Sequence, residues 1–413
     1  MLKNHFCTLL CFIAILFPFS SYGQECSDAR SHRFVIGLFT EDLFDGYLPF
    51  EKAVEHMITL FPEYKIEYLL FGKRPLTCKD VESVDVLFIN ENFHNGISES
   101  RWITNIDTQA NLVDFWKTDI NNVICKDLYP MSYICNLERP LYFCPIKIDT
   151  TVLSLNRDKE ISLETEDFLQ RNRLFNSTWS GFHQMAKVLS GTNKPGEVFL
   201  LEDNFTDLPI VAIQIASYVE LCRHSDEKID KRIIARNLQA LKELYNLSEI
   251  DFVNLDDGSR QNCGLFTSTI TLFQSGMDYY CSLPRLSPQI EIYPSNGILA
   301  LVPKNATNCK LGIHFVNELL SAECHNSYNV MGVFRKDTTH IVHEGYEIFL
   351  PPQDGSSDIY ASNLRYAAFP FLDSAEITAY HETLARYIAG EITVEQTCEQ
   401  IISVVDNQGG YIK

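Results

Sequence analysis

The chain has 413 residues, 46% of them hydrophobic and 21% charged, a composition that excludes a disordered polypeptide and describes a folded globular protein. Its formal net charge of −20 excludes nucleic acid as a partner, because phosphates would be repelled. The same acidity serves solubility and is also compatible with a cationic ligand. So long a chain exceeds one ordinary core, and two lobes or domains are expected.

Lys3 precedes an apolar run from Phe6 to Phe19, and the small residues Ser21 and Gly23 follow. This is the pattern of a secretory signal peptide over residues 1–23, cut before Gln24. The run is shorter than the roughly 20 residues a spanning helix needs, and no later stretch is long and apolar enough. The reading is therefore a secreted, extracellular protein with no membrane span.

The sequence holds 13 cysteines, and an odd number of them lies beyond the signal segment. In an exported chain most are expected in disulfides, with at least one thiol free or paired to another chain. Four Asn-x-Ser/Thr sequons, at Asn176, Asn204, Asn246 and Asn305, are candidate glycosylation sites.

In chain order, Arg33–Phe39 reads as a first strand and Leu48–Phe61 as a helix with Phe50, Val54, Met57, Ile58 and Phe61 at helical spacing. Lys65–Phe71 is a second strand, and Val84–Ile89 a third whose continuous apolar run suits a buried parallel sheet. Arg101–Pro140 is loop-rich, and Cys125 and Cys135 are expected to tie it down. From Leu141 to Lys159 a Pro leads alternating polar and apolar residues into a β-branched run, a strand that tolerates Pro at its start. Ser180–Leu189, Pro209–Cys222 and Lys231–Tyr245 read as helices, the last with Ile233, Ile234, Leu238, Leu241 and Leu244 on one face. Gln289–Tyr293 and Ile298–Val302 read as two separate strands, followed by a helix Cys309–Ser321 whose ends Cys309 and Cys324 could staple. Two helices close the chain. Ser374 is expected to cap the first, which stops at Gly390, and Thr393 with Gln396 forms a capping box for the second.

Strands alternating with helices define an α/β fold. No Walker A, Rossmann or nucleophile-elbow motif occurs, and the pair His340 and His343 with Glu344 is a weak metal signal, so no cofactor and no metal are expected.

Pro145 through Asp158, then Thr178-Trp179 opening a helix, resembles the extracellular solute-binding proteins of the type 2 periplasmic-binding class. So does the later order Phe273–Met277, Tyr293–Val302 and Lys310–Leu320. The resemblance implies two α/β lobes that exchange strands, with the ligand between them. The lobes would comprise residues 33–146 plus 294–345, and 147–293 plus 346–413.

Within that class Arg33–Phe39, Val84–Phe93, Tyr142–Asp158 and Ile292–Lys304 resemble thiaminase I, a secreted transferase with a nucleophilic Cys and an acidic base. Laid on the family motif, the nucleophile falls on Asp149, the base near Gly276 with Asp278 two residues on, and two aminopyrimidine-binding acids on Asn90 and Asn296. The scaffold therefore resembles the family's while its chemistry is absent.

Asp149 can be a ligand-facing acid, a weak carboxylate nucleophile, or an ion-pair partner of Lys147. Cys144, five residues earlier, is the other candidate nucleophile, although a thiol in such a chain is more often bridged. Asn90 and Asn296 suit a neutral polar ligand because the carboxamide both donates and accepts. Phe39, Trp179, Tyr279, Tyr280 and Tyr293 could stack on a flat ligand or fill the core. The expected function is binding of a small polar or heteroaromatic molecule, with Phe39, Asn90, Asp149, Asp278, Tyr279, Tyr293 and Asn296 as contacts. The alternatives are an active thiaminase-type transferase using Asp149 or Cys144, and a secreted structural or matrix protein without a ligand. The sequence leaves the oligomeric state open.

Overall fold

The computed structural model describes residues 33–45, 47–103, 111–156, 178–190, 208–225, 227–248, 265–270, 278–326, 335–336, 340–343, 346–349 and 356–406. The chain begins as a β/α alternation: β1 (Arg33–Leu38), α1 (Leu48–Leu60), β2 (Lys65–Leu70), α2 (Cys78–Glu82) and β3 (Val86–Asn92). A 3-10 turn over Phe93–Asn95, a short β4 (Ile97–Ser98) and a second 3-10 turn over Glu99–Ile103 follow. Next come α3 (Ile120–Lys126), the long β5 (Cys144–Asn156), and the helices α4 (Trp179–Ser190), α5 (Ile210–His224) and α6 (Lys231–Ser248). Strands β6 (Leu265–Ile270), β7 (Asp278–Ser282) and β8 (Tyr293–Leu301) precede α7 (Cys309–Leu319) and α8 (Ala322–Asn326). The remainder is a hairpin of β9 (His340–His343) and β10 (Tyr346–Phe349), then α9 (Ser356–Arg365), β11 (Ala367–Ala368), α10 (Ser374–Ile388) and α11 (Val394–Asp406).

The main sheet runs β2-β1-β3-β8-β5-β6 and is mixed. β1 and β3 are parallel, as their buried runs suggest, but β8 is antiparallel to both β3 and β5. Asp85 fixes the start of β3 from the side, because its carboxylate accepts Val35 N–H at 2.8 Å and Asn308 N–H at 2.8 Å.

Two apolar cores flank this sheet. The first gathers β1, α1, β3, the early part of β5, the late part of β8 and α7. The second gathers α4, α5, α6, the segment before β8, α10 and α11. Strands β5 and β8 run from one core to the other. On β5, Cys144, Ile146 and Ile148 lie in the first core, and the strand goes on to pair with β6 and β7. On β8, Tyr293 lies in the second core and Ile298–Leu301 in the first. Exchange does not stop there, since Leu364, Ala367 and Phe369 pack with the first core and Phe93 with the second.

Several expectations are corrected. Gln289–Ile292 is not a strand, and β8 instead begins at Tyr293 and runs through Pro294, Asn296 and Gly297, turn formers by type that are held extended between β3 and β5. The cap of α10 is Asp373, not Ser374. Its carboxylate accepts Ala375 N–H at 2.9 Å and Glu376 N–H at 3.0 Å. The box at Thr393 and Gln396 forms as expected, with reciprocal bonds of 2.9 and 3.3 Å.

No disulfide is found among the described residues: Cys78, Cys125, Cys135, Cys144, Cys222, Cys309, Cys324 and Cys398 are free thiols. Cys309 and Cys324 do not staple the helix: both are free thiols, Cys309 opening α7 and Cys324 lying beyond its end in α8. Around Cys125 and Cys135 hydrogen bonds do the tying instead. Trp116 Nε1–H donates to Asn136 O at 3.2 Å, Asn121 Nδ2 to Trp116 O at 3.2 Å, and the Cys125 thiol to Asn121 Oδ1 at 3.2 Å. Cys26 and Cys263 lie outside the described residues.

Candidate functional site

The two strands that pass between the cores meet at Asp149 and Asn296, which face each other in the antiparallel register. Upstream on β5 a bulge falls between Pro145 and Lys147. It frees the Ile146 carbonyl from the ladder, and Tyr47 Oη–H donates to it at 2.9 Å. Burial, and after it the nearby Asp149 charge, hold the Tyr47 phenol well above its ordinary range. Asp149 is thus in a confined place, with Lys147 Nζ 3.4 Å from its Oδ2 and only 14% of its side chain exposed. Lys147 and Asp149 share a face of β5, as period-two spacing requires.

β8 is pinned on both sides at this point. Asn296 Oδ1 accepts Phe93 N–H at 3.0 Å, and Thr151 Oγ1 donates to Pro294 O at 2.8 Å. Gly297 is required by close approach, because a Cβ there would stand 2.8 Å from Lys147 O. Beyond Thr151, Asn363 Nδ2 donates to its carbonyl at 3.3 Å and Ser282 Oγ donates to Asn363 Oδ1 at 2.8 Å.

On the other side of β8, Asn90 and Glu91 at the end of β3 face Ile298 and Gly297. Two buried acids organise this corner. Glu91 accepts Ser98 Oγ–H at 2.9 Å and Ser100 N–H at 2.8 Å, and Glu99 accepts Asn90 N–H at 2.7 Å. Burial raises both carboxyls, Glu91 to about 7 and Glu99 to about 8, against the opposing pull of those same hydrogen bonds. Glu91 adds to the rise of Glu99, as does Asp42, while Lys73 works against it.

The residues singled out from sequence fall into three groups. Asp149, Asn90 and Asn296 converge on the crossing, although Asn296 is 8% exposed and spends its Oδ1 on Phe93. Phe39, Trp179 and Tyr293 are core residues and not stacking platforms. Phe39 is 2% exposed and packs on Trp102 with ring centroids 4.9 Å apart. Trp179 is fully buried and donates its Nε1–H to Gln214 at 2.6 Å. Tyr293 is 1% exposed, its hydroxyl donating to Glu291 at 2.7 Å. Asp278, Tyr279 and Tyr280 lie on β7 opposite Asn156, Leu155 and Ser154, and their side chains are outside the described residues, as are Asn176, Asn204, Gly276 and Glu344.

Cys144 is corrected as a nucleophile. It is fully buried in the first core, and burial raises its thiol well above the ordinary value, so almost no thiolate forms at neutral pH. His340 and His343 sit on β9, and no group of metal-ligating side chains is found among the described residues. Of the sequons, Asn246 and Asn305 are exposed. Sequence reasoning missed Glu91, Glu99 and the cation that follows them, Arg101. The available signal was an acid ending a buried apolar strand, where nothing but a built network makes burial tolerable.

Two crossing strands with a confined acid where two α/β cores meet define the architecture of a two-lobe solute-binding protein. Solved structures agree. A family 1 extracellular solute-binding protein from Bifidobacterium longum subsp. infantis matches with a TM-score of 0.58 at 13% identity, covering 91% of this chain and 99% of its own. The sugar-binding protein MalE from Xanthomonas citri matches with a TM-score of 0.58 at 12% identity, covering 91% and 97%. A cyclic alpha-maltosyl-1,6-maltose binding protein from Arthrobacter globiformis matches with a TM-score of 0.56 at 11% identity, covering 91% and 98%. The chain therefore has the extracellular solute-binding protein fold. No protein-family model matches the sequence. No curated protein is significantly similar to it either. These structures speak for the solute-binding fold and not for thiaminase I. No helix among the described residues is long and apolar enough to cross a membrane.

Proposed function

We propose that this chain is a secreted, non-catalytic binding protein that takes a small polar ligand where β5 and β8 cross. The observation that carries this is the cross-strand pair Asp149 and Asn296, an acid and a carboxamide where two strands pass between two cores. Such junctions of α/β halves are the usual ligand positions in folds of this kind. An acceptor-only carboxylate beside donor–acceptor carboxamides suits hydroxyl-rich or amide-bearing molecules. The sugar-binding neighbours favour the hydroxyl-rich choice by analogy of fold.

The lobes of this reading are residues 33–146 with 294–345, and 147–293 with 346–413. Residues 1–23 serve as its export signal, and Asn176, Asn204, Asn246 and Asn305 are its glycan acceptors. The likeness to thiaminase I enters as shared scaffold without chemistry. Asp149 stands at the nucleophile's place, and the thiol on the same strand, Cys144, is buried and protonated.

The test is thermal unfolding of the purified protein against separate panels of mono- and oligosaccharides, amino acids and thiamine. Binding at one hundred times Kd stabilises by about 2.7 kcal/mol, a clear shift. Saturable stabilisation by one panel that Asp149→Asn abolishes supports the reading. Stabilisation by none, or release of free thiazole from thiamine, overturns it.

A further inference from the structure

The chain from Asn90 to Ile103 forms a finger that leaves the first core, enters the second and returns. Ile89 and Ile103 belong to the first core and Phe93 to the second. At its tip Gly96 lies on the N-terminus of α10, where Ser374 Oγ donates to Gly96 O at 3.2 Å. On the way back Arg101 Nη1 pairs with Asp373 Oδ2 at 2.5 Å, and its Nη2 pairs with Glu376. Asp373 and Glu376 are the two halves of the α10 capping box. One guanidinium from the first half therefore holds the helix start of the second.

Two further carboxylates lie within electrostatic reach of Arg101: Glu91 on β3 and Glu220 on α5. Both are deeply buried, 3% and 2% exposed. Glu220 also binds Arg223 at 2.9 Å. With every carboxyl ionised, Asp373, Glu376, Glu91 and Glu220 set four negative charges against the two of Arg101 and Arg223. Protonating Glu91 and Glu220 removes two of those negative charges.

We infer that the finger is a proton-sensitive clasp: Arg101 fastens it to α10, and protonation of Glu91 and Glu220 tightens the grip. The inference concerns the hold between the two halves, not the occupant of the crossing, so it stands or falls without a ligand.

Burial sets the direction for each acid, and the neighbouring groups act in both senses. Burial raises Glu91 to about 7, with Ser100, Ser98 and Arg101 pulling it down. Burial raises Glu220 to about 7, with Arg223 and Arg101 lowering it and Glu376 raising it. Glu99, raised to about 8, adds charge beside Glu91 and itself faces Asp42 and Lys73. Burial also raises Glu376, against Arg101, with Asp373 pulling both ways. A carboxyl raised in the folded state contributes stability that is complete at low pH and lost as pH rises through its folded value. The window of loss therefore opens near the ordinary glutamate value, about 4.5, and closes at about 7 for Glu91 and Glu220 and about 8 for Glu99.

The experiment is thermal unfolding of the full chain, without ligand, from about pH 4.5 to 9 at fixed ionic strength, with the radius of gyration from small-angle scattering at each end. The expected Tm falls by roughly 5 °C across the window. The neutral isosteres Glu220→Gln and Glu91→Gln each remove about a third of that slope, Glu99 carrying the rest, and the double variant also removes the expansion at high pH. A merely structural role would lower Tm equally at every pH and leave the slope alone. A flat or rising wild-type profile, or a slope unchanged in both variants, overturns the inference. Because the glutamine variants keep the side-chain shape, the decision does not require removing Arg101.

Discussion

Gly96 provides a direct measure of whether the finger docks. Its φ is +60°, and a Cβ built there stands 2.5 Å from Ser374 Oγ and 3.1 Å from both Ser374 Cα and Ser374 N. Gly390, after α10, has φ +79° and nothing within 4 Å of its Cβ position. The two glycines thus share the conformational cost of a left-handed alanine, about 1 kcal/mol, and differ in what surrounds them. The Ser374 hydroxyl can rotate away, but its backbone cannot, and forcing α10 back by a few tenths of an ångström costs a further 1–3 kcal/mol or so. Gly390→Ala should therefore lower the unfolding free energy by about 1 kcal/mol and Gly96→Ala by about 2–4 kcal/mol. Urea denaturation followed by far-UV circular dichroism reads the difference at unchanged slope. Ser374→Ala in the Gly96→Ala background should recover only the part due to the hydroxyl. If Gly96→Ala costs no more than Gly390→Ala, the finger is not seated on α10, and the clasp loses its footing.

Three further outcomes follow from the same geometry. Asp149→Asn should weaken ligand binding by at least about tenfold while leaving the circular dichroism spectrum unchanged, since a charged acceptor is worth about 1.5–3 kcal/mol; calorimetric titration checks it. Under native alkylation with iodoacetamide, the exposed Cys78 and Cys125 should label and the buried Cys144 should not, as peptide mass spectrometry would read; rapid labelling of Cys144 would reopen the case for a thiol nucleophile. Gln214→Leu should cost about 3–5 kcal/mol in denaturant, because Gln214 is fully buried, accepts Trp179 Nε1–H, and donates to Pro284 O at 3.1 Å and Ile292 O at 2.6 Å, leaving three orphaned partners.

What was legible in the sequence is what local chemistry decides. The spacing of Ile234, Leu238, Leu241 and Leu244 lays one apolar stripe on α6, and all four are buried in the second core. The Thr393–Gln396 box needs only its own three-residue spacing. The Leu141–Lys159 stretch carried β-branched alternation, and β5 covers Cys144–Asn156 of it. What was not legible depends on neighbours distant in the chain. Pro294-Ser295-Asn296-Gly297 has turn composition, yet it is extended because Phe93, Lys147 and Thr151, all more than a hundred residues away, occupy every side of it. Asp373 and Ser374 are equally good caps by type. The choice falls to Asp373 because its charge also serves Arg101, 272 residues earlier. Phe39 and Tyr293 read as candidate platforms because strand ends look alike whether they face a cleft or a second layer.

The failures of local reading cluster, and where they cluster is informative. Sequences whose local preference contradicts the observed structure do so mainly at functional or strained positions, where other interactions hold them. Here the misread strand β8, the misassigned cap at Asp373 and the unanticipated acids Glu91 and Glu99 all lie on one path. That path runs from the crossing through the finger to the start of α10. Asn296 ties the crossing to Phe93, Glu91 sits two residues before Phe93 and faces Gly297, and Arg101 ends the finger on Asp373 and Glu376. An occupant that shifts β8 against β3 therefore pulls on the finger through the bond between Asn296 and Phe93. Reciprocity of linked equilibria then requires that any ligand bound more tightly when the finger is clasped also raise the proton affinity of Glu91 and Glu220. Proton uptake on ligand binding near pH 7, measured as a buffer-dependent heat, is the expected sign of that coupling. Heats identical in phosphate and Tris buffers would separate the ligand site from the clasp.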